Sequence, residues 1–346
     1  MPFLSLSGVK SRIYRFFGAE IGEHVYFAPK AFILVKDFKK MKIGDGVVFG
    51  PHVDIQCEEL EVGDDATFSW GVYAVGTILK VGRGCYFAPK VYIDLTEPVI
   101  IEDDVGIGAD YIFTHSIWHP VTEGGPRKFA PVHIKRGAWI PAGVFIMPGV
   151  TVGEDATIGA RSLVLTDVPS GSLAVGVPAK VIKTAEENKK ELTFEEKDRI
   201  VQGILDEYAG KIQKNGAEVL GKESIEESFL SFYVESKRKF FLKRHWVILY
   251  TSKDLEEQHL NSLLNLCKRL NPILLVSLRR IPEKIIERFD NRAFSNMIWF
   301  SVEDKKRKKS WKEEAVSLHD FFRSHYGIRF RFSERNNKIS GSGDIV

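Results

Sequence analysis

Between Phe113 and Val132 the chain reads FTHSIWHPVTEGGPRKFAPV, and this stretch gathers residues suited to proton transfer. His115 and His119 each carry an imidazole, the side-chain type most often used as a general base. Trp118, Glu123, Arg127 and Lys128 accompany them, and Gly124, Gly125 and Pro126 mark a turn. Upstream, IDLTEP supplies Asp94 and Glu97. Either carboxylate could accept a hydrogen bond from a ring N–H and orient the base.

What positions these residues is a six-residue repeat. The chain runs IGDGVV, FGPHVD, IQCEEL, then VGDDAT, FSWGVY, AVGTIL, then VGRGCY, FAPKVY, and closes with IKRGAW, IPAGVF, IMPGVT, VGEDAT, IGARSL, VLTDVP. A period of six fits neither a helix at 3.6 nor a half-buried strand at 2. It fits a short extended side followed by a tight corner. The opening aliphatic or aromatic residue (Ile43, Phe49, Ile55; Val62, Phe68, Ala74; Val81, Phe87, Ile93) points inward, and a small residue (Val47, Val53, Ala66, Val72, Cys85) sits fifth. Glu61 and Lys80 are single insertions after three hexads, where a turn between coils tolerates them. Three sides close a triangular coil, and about eight coils at ~4.8 Å give a parallel β-helix roughly 40 Å tall. The stretch from Phe113 to Val132 is then a loop thrown outward from one corner, and such interruptions commonly have a functional reason.

From Ile21 to Lys183 the sequence resembles the hexapeptide-repeat O-acetyltransferases, the group of maltose and galactoside acetyltransferases and many sugar acyltransferases of surface-polysaccharide synthesis. The histidine loop (TH, an aromatic and Pro, then EGGP and KFAPV) and the closing segment WIPAGVFIMPGVTVGEDATIGARSLVLTDVPSGSLAVGVPAKVIK carry the resemblance. It implies a left-handed β-helix, a homotrimer, and transfer of acetyl from acetyl-CoA to a sugar or glycan hydroxyl. It also implies that His115 is the base, with His119 as the rival. Asp94, Glu97, Trp118 and Glu123 would serve the acceptor. Trp139, Ala142, Ala160, Leu165 and Thr166 would line the path of the pantetheine arm, and Arg161 would supply the positive charge that Thr166 lacks at the phosphate end. Lys180 and Lys183 would meet phosphates, and the Ala142 N–H would hold the oxyanion. Pro141 and Arg161 stand where relatives commonly carry Gly, and Thr166 where they often carry Lys. No metal is expected.

Residues 1–20 read as a capping helix with Val9, Ile13, Phe16 and Phe17 on one face, and 21–183 as the β-helix. Residues 184–224 read as a helical linker and 225–346 as an α/β accessory domain. Thr193 and Glu196 form a capping box opening a helix toward Tyr208. VILYTS, ILLVSL, MIWFSV and IRFRF read as strands. Asp254–Leu270, Pro282–Phe289 and Trp311–His325 read as helices between them, which predicts a largely parallel sheet. No Gly-rich phosphate loop follows these strands. The run KKRKKSWK, flanked by Glu303, Asp304, Glu313 and Glu314, predicts a solvated helix start.

The formal charge of +3 over 346 residues predicts no nucleic-acid partner. No apolar run reaches the ~18 residues of a membrane span, and association with a membrane surface is the minor alternative. Cys57, Cys85 and Cys267 make neither a disulfide framework nor a zinc spacing, so a cytoplasmic setting is expected. Three other functions compete. They are N-acetylation of an amino sugar, a carbonic anhydrase using His115, His119 and His133, and a non-catalytic trimeric scaffold.

Overall fold

Each hexad forms a short strand and a corner, and the chain turns through three faces before returning above itself. Met41–Ile43, Val48–Phe49 and Asp54–Cys57 occupy the first, second and third faces, and Glu59–Val62 starts the next coil on the first. The computed structural model describes residues 6–117, 120–188, 191–215, 218–225, 229–237, 243–308, 310, 312–326, 328 and 330–332. The chain divides into two compact units, Met1–Lys190 and Glu191–Val346.

In the first unit the register sets like above like. Ile43 pairs with Val62, Phe49 with Phe68 and Ile55 with Ala74. The inward rings of Phe27, Phe49, Phe68 and Phe87 therefore stack at 5.0, 5.1 and 4.5 Å down the axis. Corner aspartates tie successive coils. Asp45 accepts from the Glu23 N–H at 2.6 Å, Asp64 from Asp45 at 2.7 Å, and Asp103 from Arg83 at 2.7 Å. Glycine precedes such corners because backbones touch there: a Cβ on Gly22 would lie 2.5 Å from the Gly44 carbonyl carbon. Between Phe113 and Val132 the chain leaves the prism at the third-to-first corner. There His115–Ile117 and Arg127–Phe129 pair antiparallel. At the last coil Ala179–Lys183 folds back antiparallel on Leu173–Gly176 and closes the second face.

The N-terminal helix Leu6–Phe16 caps the first coil with the opposite face from the one expected. Ser7, Ser11 and Tyr14 pack inward, while Val9, Ile13, Phe16 and Phe17 are exposed. The first coil presents unpaired backbone groups, so donors and acceptors are what it needs. Tyr14 donates to the Ile33 carbonyl, Arg15 to those of Ile21 and Gly22, and Ser7 both donates to Val25 and accepts from Phe27.

The second unit is built on a seven-stranded sheet whose strands lie in sequence order from Glu218–Ile225 to Arg331–Phe332. Its centre (Lys243–Thr251, Ile273–Ser277, Met297–Ser301) is parallel, but the sheet is mixed rather than largely parallel: Glu218–Ile225 and Phe229–Lys237 add an antiparallel flank, and Lys306–Arg307 runs antiparallel to Met297–Ser301. The segment expected as a helical linker thus supplies a strand. Its helix Phe194–Lys214, opened by the Thr193/Glu196 capping box, buries Val201, Ile204, Leu205 and Tyr208. Those residues and the helix Glu313–Tyr326 cover one side of the sheet. Gln258–Cys267 and Glu283–Phe289 cover the other. The basic run is not a solvated helix start. Lys306–Arg307 is a strand with Arg307 buried, and the helix begins at Glu313, because the sheet takes the first part of the run as its next strand. Lys309 and Trp311 lie outside the described residues.

Candidate active site

The third-face strand Tyr92–Leu95 alternates outward and inward, which turns Tyr92 and Asp94 outward and Ile93 and Leu95 into the core. Where the next coil leaves that face, Thr114 and His115 fold over Asp94. The result is an outward carboxylate that is only 7% exposed. Asp94 Oδ2 lies 2.6 Å from His115 Nδ1 and accepts from the Thr114 N–H at 3.0 Å and its hydroxyl at 3.1 Å. Asp94 Oδ1 accepts from the Thr96 N–H at 3.0 Å and hydroxyl at 2.7 Å. Burial pushes the Asp94 carboxyl up, but the donors Thr96, Thr114 and His115 outweigh it and hold the group down at about 2.

An ionised carboxylate is acceptor-only, so the proton shared with Asp94 sits on His115 Nδ1, and the neutral form of the ring then carries its lone pair on Nε2. The ring is fixed from a second side by Phe129, its antiparallel partner across the loop hairpin, at 5.9 Å and 26° between planes. With its side chain 42% exposed, His115 presents an oriented, accessible imidazole capable of taking a proton from a hydroxyl. Glu97 is half-buried and donates its N–H to the Thr114 hydroxyl. Glu123 is exposed in the turn Val121–Glu123, which Gly124 ends in the left-handed conformation. Trp118 and His119 lie outside the described residues. His133 takes no part in this cluster: its Nε2 lies 2.8 Å from Glu102 Oε1, on the first face.

The other sequence-predicted residues are spread over two corners of the prism and its second face. Ala142, Ala160 and Arg161 occupy the second-to-third corner of successive coils, where the Arg161 N–H donates to the Ala142 carbonyl at 3.2 Å. Trp139 is exposed on the adjoining strand of the second face. Leu165 and Thr166 follow Leu163–Val164 and share the third-to-first corner with His115. Lys180 and Lys183 are exposed on the closing strand, in register with Val175 and Leu173. Sequence reasoning missed Thr96, Thr114 and Phe129. Asp94-Leu95-Thr96 has the spacing at which an aspartate bonds the residue two ahead, whereas Phe129 depends on a hairpin register that no local pattern sets.

Residues 131–166 match the family described as bacterial transferase hexapeptide (six repeats). Over 139 residues the chain is 32% identical to the galactoside O-acetyltransferase of Escherichia coli K12, covering 39% of this chain and 68% of that enzyme. The chain belongs to the hexapeptide-repeat acetyltransferase family. The galactoside O-acetyltransferase of Lactococcus lactis is 28% identical over 109 residues, 29% of this chain and 53% of that one. The chain thus spans about half to two thirds of the curated relatives it matches. A crystal structure of a Vibrio cholerae hexapeptide-repeat acetyltransferase complexed with acetyl coenzyme A aligns with 52% of this chain and 79% of its own, at 20% identity and a TM-score of 0.32. In this acetyltransferase, the outward loop and the Asp94–His115 pair occur where the hexad rhythm stops.

Proposed function

We propose that the protein transfers acetyl from acetyl-CoA to a hydroxyl of a sugar or surface-glycan precursor, with His115 as general base. The observation that carries this reading is the 2.6 Å contact between His115 Nδ1 and the buried, ionised Asp94. Nε2 removes the acceptor's hydroxyl proton as its oxygen attacks the thioester carbonyl, forming a tetrahedral oxyanion. Collapse breaks the C–S bond, and the imidazolium returns the proton to the departing thiolate. Asp94 stabilises that imidazolium, and the Ala142 N–H serves the oxyanion. Trp139, Ala142, Ala160, Leu165 and Thr166 line the thioester's path, and Lys180, Lys183 and Arg161 meet its phosphates. The three free cysteines agree with a cytoplasmic setting.

The working assembly is a homotrimer. Ala142 and His115 occupy different corners of one prism, separated by the width of the third face, roughly 15 Å of extended chain. A neighbouring copy that brings its second-to-third corner against the histidine loop completes the site. The exposed outward row Tyr73, Tyr92, Tyr111 and Phe145 gives such a neighbour an aromatic face.

The test supplies acetyl-CoA with mono- and oligosaccharides, nucleotide sugars and glycans. It follows thiol release, identifies products by mass spectrometry, and measures solution mass by sedimentation. Acetylated sugar from a trimer is expected. Absence of any acetyl-CoA-dependent product, or a monomer with full activity, contradicts the corresponding part of the reading.

A further inference from the structure

The helix Leu6–Phe16 spends its polar side on the prism and leaves its apolar side outward. Positions 9, 13 and 16 fall on one stripe of a helix, and Phe17 continues it past the last turn. Along it Val9 and Ile13 are exposed, Phe16 is 85% exposed and Phe17 56%. This is not a frayed end. Phe16 meets Phe17 edge to face at 5.4 Å, and Phe17 stacks on Phe38 at 5.6 Å, so the aromatic ridge is held in place. The helix itself is cationic, although the exposed Glu20 follows it and Asp37 caps the turn that carries Phe38. No acidic residue occurs between Met1 and Ala19, whereas Lys10, Arg12 and Arg15 do. The exposed Lys39 adds to them, because its stem approaches Gly18 at the helix end. Arg15 uses donors on the Ile21 and Gly22 carbonyls, but its charge stays at this end of the prism.

We propose that this face is a membrane-surface site whose occupant is an anionic phospholipid bilayer. The helix lies in the interfacial plane, with Val9, Ile13, Phe16 and Phe17 among the upper acyl chains and Arg12 and Arg15 at headgroup level. A stripe of aromatic and branched residues flanked by cations is what such a surface selects, because apolar burial and attraction to negative lipids add. The eleven described residues of this helix reach about 16 Å against a hydrocarbon core of about 30 Å. Among the described residues no helix is long and apolar enough to cross. The site lies at the first coil, several coils below His115, so the inference is independent of the transfer chemistry.

The experiment is co-sedimentation of the full chain with vesicles of phosphatidylcholine, alone or mixed with phosphatidylglycerol, across a range of salt. The wild type is expected to partition onto the mixed vesicles, weakly onto the neutral ones, and less as salt rises. Ile13→Ser with Phe16→Ser should lower partitioning at least tenfold with the thermal midpoint unchanged, since both side chains are exposed. Arg12→Glu should weaken binding to the mixed vesicles selectively. Equal partitioning of wild type and double variant, or none by the wild type, overturns the proposal. So does a solution assembly that the double variant dissolves, which would mean that a second copy covers the stripe.

Discussion

Asp94 Oδ2 and His115 Nδ1 lie 2.6 Å apart although twenty-one positions separate them, because one turn of the prism carries the chain from one to the other. The carboxylate arrives already satisfied: Thr96 and Thr114 hold it from both sides before the imidazole is added. Asp94 is thereby kept ionised and acceptor-only, which fixes the tautomer of the ring it meets.

Asp94→Asn should retain the shape of this pocket and lose the charge that selects the tautomer. Turnover is expected to fall by roughly 10²- to 10⁴-fold, the range of a general base, with KM for acetyl-CoA little changed. Steady-state thiol release reports both. A matching rise in KM would instead assign Asp94 to binding.

Thr114→Val is nearly isosteric but removes the hydroxyl that donates to Asp94 and accepts from the Glu97 N–H. Turnover should drop on the order of tenfold, and stability by ~1–3 kcal/mol for the buried groups left unpaired. Urea unfolding beside initial rates checks both numbers.

Two buried carboxyls give opposite dependences of stability on pH. Asp94 is held at about 2, below its unfolded value near 4, so its contribution is present above pH 4 and lost as pH falls toward 2. Asp110 is fully buried, with Oδ1 accepting from the Val144 N–H at 2.8 Å and Oδ2 without a partner among the described residues. Burial pushes it up to about 7 against the amides of Val144, Gly143 and Gly108. The folded chain then keeps a proton that the unfolded chain releases, and stability should decline as pH rises from about 4 through 7. The slope from this group is at most about 1.4 kcal/mol per pH unit. Asp110→Asn should abolish that slope and raise the urea midpoint at pH 8. An unchanged slope would show that Asp110 does not cause it.

Phe68 is sandwiched between Phe49 and Phe87 in the axial stack and is wholly buried. Phe68→Ala should cost about 3–5 kcal/mol, because regular coils above and below cannot collapse into the cavity. Tyr73→Ala, on the outer row, should cost a folded monomer far less. Denaturant midpoints of the two variants give the comparison.

Much of the fold was legible because Ile43, Phe49 and Ile55, and their equivalents in later coils, repeat at a period that only a three-sided coil satisfies. That His115 stands where the rhythm stops, with a carboxylate one coil below, was legible. That the carboxylate meeting it is Asp94 and not Glu97 was not, because both lie in the same segment and only the fold of Thr114 over the strand separates them. The stacking of Phe129 on His115 was not, since it follows from the register of a hairpin inside the loop. The inverted N-terminal helix was missed because amphipathicity places apolar residues inward, while an open first coil requires hydrogen bonds. In the second unit the parallel strands read clearly, being apolar on both sides. The flank Glu218–Ile225 and Phe229–Lys237 mixes charged and apolar residues without a dominant period, and its pairing is set by strand Lys243–Thr251.

The most direct measurement is acetyl transfer by His115→Ala to whichever sugar the wild type acetylates, alongside acetyl-CoA binding by calorimetry. A loss of at least ~10²-fold in kcat is expected, with acetyl-CoA affinity and thermal midpoint preserved. A variant that retains wild-type turnover would contradict the role of His115 as the base.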